Sequence, residues 1–131
     1  MNYSIKYEKK HEINEGEAEI NVAFGETRAT NEFMENLFPF LEKRLPLRIN
    51  IQELDFGPAD VLIETQTDSK FNDGFKVLIK DGYSFNFSGE GSRGLVKMLD
   101  MFDIPQSKIE PIITTYNPKL EDKRIIISIS E

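Results

Sequence analysis

The run of residues 74–104 constrains this chain most, because two β-rich stretches, two turn signals and an amphipathic helix pattern follow one another without a gap. Phe75-Lys76-Val77-Leu78-Ile79-Lys80 and Tyr83-Ser84-Phe85-Asn86-Phe87-Ser88 are rich in β-branched and aromatic residues, and Asp81-Gly82 joins them. That dipeptide tolerates positive φ and suits a two-residue hairpin turn. Alternation in the second stretch puts Tyr83, Phe85 and Phe87 on one face, which a small domain must cover, and Ser84, Asn86 and Ser88 on the other. After Gly89-Glu90-Gly91, Ser92 is a natural N-cap, and Leu95, Val96, Met98, Leu99 and Phe102 recur at helical spacing until Pro105 ends the pattern.

The same reading extends to the flanks. Tyr3, Ile5 and Tyr7 alternate with polar residues, and so do Ala18, Ile20, Val22 and Phe24 beyond the turn-like Asn14-Glu15-Gly16-Glu17. These predict an N-terminal hairpin whose first strand lies at a sheet edge, its lysines opposing intermolecular pairing. Thr30 or Asn31 caps a predicted helix with Phe33, Met34, Leu37, Phe38, Leu41 and Leu45 on its apolar face, kinked or broken at Pro39 and finished before Pro46. Leu47, Ile49 and Ile51 form a strand leading into a turn at Asp55-Phe56-Gly57-Pro58, and residues 59–64 form another. Residues 105–118 read as irregular, or as holding a short strand at 112–115, and residues 124–130 as an isoleucine-rich terminal strand. The order β-β-α-β-β-β-β-α-β implies one α+β domain over residues 1–131. It is a two-layer sandwich with a mixed or antiparallel sheet and two helices on one face.

Composition limits the chemistry. A chain of 131 residues can own one core, and its 23 acidic against 16 basic residues give a net charge of −7. That charge argues against nucleic acid as a partner and for a basic protein surface. With no cysteine there is no disulfide, thiolate metal site or cysteine nucleophile. No stretch approaches the ~20 apolar residues of a membrane span, and the first residues lack a signal-like apolar region. The chain is therefore expected to be cytoplasmic, or a domain lacking its export signal.

Gly89-Glu90-Gly91-Ser92-Arg93-Gly94 matches the dinucleotide-binding pattern, following a strand and opening a helix. That fingerprint also needs a second parallel strand ending in an acid about 20 residues on, where Pro105 and Pro111 stand here. A strand held in a tight hairpin would not feed such a crossover either. The motif reads as a structural turn, with an anion held by helix amides and Arg93 as the alternative. Arg93 lies where the helix dipole disfavours a cation, which predicts a neighbouring carboxylate or other acceptor, a structural salt bridge first. His11 is the only histidine, in the charged Lys9-Lys10-His11-Glu12, and reads as a solvated surface residue. Glu12, Glu15, Glu17 and Glu19 form an acidic cluster that reads first as a solvated face, with contact to a basic partner or weak binding of a cation as the alternatives. Asp55, Asp60, Asp68, Asp73 and Asp81 lack calcium-loop spacing. No catalytic, cofactor or metal residue is assigned, and the expected interaction surface is Glu12, Glu15, Glu17, Glu19 and Arg93 with the exposed sheet face.

Asp60-Val61-Leu62-Ile63-Glu64, the run from Gly74-Phe75 through Asp81-Gly82 to Ser88, and Ser92-Arg93-Gly94-Leu95 before the amphipathic helix resemble the small non-catalytic domain that precedes the barrel in family 20, 67 and 84 glycoside hydrolases. The resemblance covers about residues 20–104, and the catalytic barrel with its paired acids is not in the chain. It implies an α/β accessory domain that acts through protein contact, without glycosidase activity. The leading expectation is thus a non-enzymatic interaction or accessory domain. The alternative is a small acidic inhibitor, immunity protein or chaperone that caps a basic effector.

Overall fold

The computed structural model describes residues 1–53, 58–65 and 74–131. Among them, six strands form one mixed sheet, β1 (Asn2–Lys9), β2 (Ile20–Val22), β3 (Leu47–Glu53), β4 (Pro58–Thr65), β5 (Lys76–Ser84) and β6 (Lys123–Ser130). Three helices, α1 (Thr27–Glu42), α2 (Glu90–Asp100) and α3 (Gln106–Ile113), complete an α+β sandwich. The strand order is β1-β6-β3-β4-β5-β2, antiparallel throughout except for the β2–β5 pair.

Alternation sorts the strand residues onto two faces. Ile49 and Ile51 of β3, Val61 and Ile63 of β4, Val77 and Ile79 of β5 and Ile125, Ile127 and Ile129 of β6 point to the helices. There they meet Met34 and Leu41 of α1, Leu95 and Leu99 of α2 and Ile109 and Ile113 of α3, all fully buried.

Several expectations are corrected. β1 and β2 are not a hairpin, since they lie at opposite edges of the sheet. The connection between them, residues 10–19, crosses the face that carries no helix. Ten residues reach at most about 35 Å, and five interstrand steps span about 24 Å, so this strap crosses the sheet with slack to spare, part of it taken up in a single 3-10 turn at Glu15–Glu17. Asp81-Gly82 makes no hairpin either. β5 continues through it, pairing with β4 on both sides, so that Lys80, Asp81 and Gly82 stand opposite Asp60 alone, between the pairs Ala59↔Tyr83 and Val61↔Ile79. Asp81 takes the left-handed conformation (φ 57°), as a bulge requires. A Cβ at Gly82 would collide with the Thr30 side chain of α1, so the bulge also lets helix and strand approach.

The strand ends at Ser84 and Asn86 adopts φ 62°, which breaks the alternation: Tyr83 and Phe85 are buried, whereas Phe87 is 55% exposed. α1 begins at Thr27, ahead of Thr30 and Asn31, and continues unbroken through Pro39. α2 begins after Gly89, and Ser92 is a buried first-turn residue whose hydroxyl donates to the Phe87 carbonyl. No strand forms at 112–115: Pro105, with extended backbone, stands before the first turn of α3, and Ile109 and Ile113, one turn apart, anchor that helix in the core. The turn expected at Asp55-Phe56-Gly57-Pro58 falls, but for Pro58, outside the described residues, as do Asp68 and Asp73.

Candidate functional site

The residues singled out in the sequence occupy opposite sides of the molecule. Glu12, Glu15, Glu17 and Glu19 are exposed on the strap across the helix-free sheet face, while Arg93 is exposed on α2 in the helical layer.

The strap is held by identifiable contacts. The backbone N–H of Lys10 donates to the Asp122 carbonyl (2.8 Å) and its ammonium to the Glu53 carbonyl (2.9 Å). Gln52 clamps His11 from beneath, its amide donating to the His11 carbonyl (2.6 Å) and its oxygen accepting from the His11 N–H (3.4 Å). Ile13, 5% exposed, packs on Leu62 and Leu78, which point away from the main core. Glu19 accepts from the Lys76 N–H (2.6 Å), and Glu15 lies 3.8 Å from the Lys80 ammonium. The helix-free face is therefore covered where the strap crosses it, while Ser4, Lys6 and Arg48 stay exposed beside it; four glutamates stand on that cover, two of them tied back to β5.

Beneath the strap, one cross-strand row reads Glu8, Arg124, Gln52, Asp60. Arg124 reaches His11 Nε2 (3.0 Å) and Glu8 (3.4 Å), so His11, though exposed, is a strap contact as well as a solvated side chain. Hydrogen bonding to Lys6 holds the Glu8 carboxyl below its ordinary value, with Arg124 acting in the same direction. Asp60 is 3% exposed, and its Oδ1 has no partner among the described residues. Burial pushes its carboxyl above the usual range, Lys80 opposing part of that and Asp81 adding to it. A raised folded value means that the stabilising contribution is complete below the unfolded pKa and is lost as pH rises through the folded one. Asp60 therefore contributes less to stability at neutral pH than in acid. Asp60→Asn is expected to raise the melting temperature by a few degrees near neutrality, a gain that shrinks below about pH 4, where aspartate is protonated in either state. Melting curves at both pH values check this; an equal gain at both would sink it.

On the helical layer, α2 carries Arg93 and Lys97 one turn apart, between two grooves. One, of about 640 Å³, lies between α1 and α2 and includes Arg28, Glu32, Glu35 and Met98. The other, of about 240 Å³, lies between α2 and α3 and includes Glu110 and Thr114. Arg93 and Lys97 line both. Contrary to expectation, the Arg93 guanidinium has no ion-pair partner among the described residues. The glycine motif beside it serves packing, since a Cβ at Gly94 would collide with the Thr27 methyl of α1. The strand after α2 and α3 is β6, three places from β5 and antiparallel to it, so the parallel crossover of a dinucleotide site is not formed.

Sequence reasoning passed over the loops beside Arg93. Asn86 is buried and bonds the loop before α2 to the segment after α3: its Nδ2 donates to the Asn117 carbonyl (3.0 Å), its Oδ1 accepts from the Asn117 N–H (2.6 Å), and its own N–H donates to the Ile113 carbonyl (2.9 Å). This clamp joins two loops that carry exposed rings, Phe87 (55% exposed) and Tyr116 (59%), the latter donating its hydroxyl to Glu121. Only the turn-forming Asn117-Pro118 pair signalled part of this arrangement in the sequence. Among the described residues no three His, Cys, Asp or Glu side chains gather as metal ligands, and no helix is long and apolar enough to cross a membrane. Compared with protein-family models, curated proteins and solved structures, the chain matches none.

Proposed function

We propose that this chain is a non-enzymatic protein-interaction domain, acting alone or as an accessory domain of a carbohydrate-active enzyme, with its contact surface at the loops beside α2 and α3. The supporting observation is the pair Phe87 and Tyr116, each more than half exposed on loops joined by buried Asn86, with Arg93, which has no ion-pair partner among the described residues, on the adjoining helix. Aromatic rings and arginine are the side chains that most often anchor protein interfaces. Rings held on a fixed loop also lose little conformational freedom on binding.

A second reading, a small acidic inhibitor, immunity protein or chaperone for a basic effector, is favoured by the exposed glutamates of the strap. A partner held there would be steered by charge and weakened by salt.

One experiment separates the two. The tagged chain is used as bait in a lysate of its source at low and high salt, beside a Phe87→Ser/Tyr116→Ser variant and a Glu12→Lys/Glu17→Lys variant. Capture of a carbohydrate-active enzyme that survives high salt and is lost only with the aromatic pair supports the accessory domain. Capture of a basic protein that is lost at high salt and with the glutamates supports the inhibitor. A catch that ignores both substitutions overturns both.

A further inference from the structure

β1 is an eight-residue edge strand whose inner side is fully laddered to β6, from Asn2↔Ser130 to Lys9↔Lys123. Which of its backbone groups have no partner among the described residues follows from one hydrogen bond. The Lys10 N–H donates inward to the Asp122 carbonyl, immediately beyond the Lys9↔Lys123 pair. In an antiparallel ladder alternate residues direct both backbone groups to the same neighbour. Asn2, Ser4, Lys6 and Glu8 therefore face β6, and Tyr3, Ile5, Tyr7 and Lys9 offer their N–H and C=O groups outward. The side chains of Tyr3, Ile5 and Tyr7 stand on the helix-facing side, but the helices dock chiefly on β5, toward the other edge. Tyr3 and Ile5 stay half-buried, and Tyr7 is 46% exposed.

We infer that β1 pairs antiparallel with β1 of a second copy, about a two-fold axis at Ile5, joining two six-stranded sheets into one. Outward groups must meet outward groups, so odd-numbered residues face odd-numbered ones. Two such registers pair seven residues of each strand. Centring on Lys6 sets that lysine against its own copy and Tyr3 against Lys9, and like charges directly opposed are destabilising. Centring on Ile5 sets Tyr3 against Tyr7, Ile5 against Ile5, Ser4 against Lys6 and Asn2 against Glu8. Apolar side chains then meet apolar ones, and no like charges oppose. The interface is self-complementary, as a two-fold contact must be. The lysines of β1 reject the neighbouring register and leave this one open.

The absence of cysteine makes the test direct. At an axial hydrogen-bonded pair the Cα atoms lie about 5.5 Å apart, within disulfide reach. Ile5→Cys is therefore expected to oxidise to a covalent dimer, while Asn21→Cys on the opposite edge strand stays monomeric. Light scattering during size exclusion should give twice the chain mass for the unaltered protein at high micromolar concentration. Tyr7→Pro removes an outward N–H and a half-exposed ring at an edge position, and is expected to give a monomer with an unchanged circular dichroism spectrum and an unfolding midpoint that no longer varies with protein concentration. An unaltered chain that is monomeric at millimolar concentration overturns the inference, as does equal cross-linking at the two cysteines. Cross-linking of Tyr7→Cys in place of Ile5→Cys overturns the register.

Discussion

Replacing Phe102 by alanine is expected to lower the unfolding free energy by about 3–5 kcal/mol, the range for deleting a large buried aromatic ring from a close-packed core. Phe102 is fully buried just beyond the C-terminus of α2 and belongs to the cluster shared by the sheet and all three helices. Its ring meets that of Phe38 on α1 edge-to-face, with centroids 5.0 Å apart and planes at 65°. The substitution therefore removes apolar contact and an oriented aromatic pair together. Urea unfolding of Phe102→Ala, Phe38→Ala and the double variant separates the two contributions. The cycle should give a coupling of about 0.5–1.5 kcal/mol for the ring pair. A total loss below about 2 kcal/mol would mean that the site collapses to fill the space, and that Phe102 is not the packing joint between α1 and α2.

Those contacts were largely legible in the sequence, because local periodicity carried them. The apolar spacing of Leu95, Leu99 and Phe102, the alternation of Leu47, Ile49 and Ile51, and the isoleucines of β6 each depend on one element facing one core. What failed depended on which strand pairs with which. Asp81-Gly82 has the chemistry of a turn and of a bulge alike; the outcome rests on whether its flanks pair with each other or with β4, and β4 is distant in sequence. Tyr3 to Tyr7 and Ala18 to Phe24 look like hairpin arms in the same way, yet they seek opposite edges. That error hid the strap, and with it the reason for the acidic run. The glutamates sit on a cover whose inward anchors are Lys10, the His11 backbone and Ile13. Of the residues expected to form one interaction surface, the four glutamates came together and Arg93 went to the other layer. The surroundings of Arg93 are not legible in the sequence because Asn86 reads there as the polar member of an alternating strand.

Asn86 therefore carries the second large expectation. Asn86→Ala should cost about 2–5 kcal/mol, from two separable sources. A residue with a Cβ at φ 62° is strained by roughly 1–2 kcal/mol, a conformation that asparagine tolerates better than alanine. The loss of both side-chain bonds to the exposed Asn117 costs about 0.5–1.5 kcal/mol for each bond, together about 1–3 kcal/mol. Asn86→Gly removes the bonds but not the freedom of the backbone, so it should recover about 1 kcal/mol relative to alanine. Amide exchange at Asn117 should accelerate in both variants, and at Ile109, deep in the core, in neither beyond the change in global stability. If glycine and alanine are equally damaging, the backbone conformation contributes nothing and the clamp is side-chain chemistry alone. If exchange at Asn117 does not change, the loops bearing Phe87 and Tyr116 are held by the Ile113 carbonyl, which accepts from the Asn86 and Phe87 N–H groups, and the aromatic pair keeps its place without the asparagine.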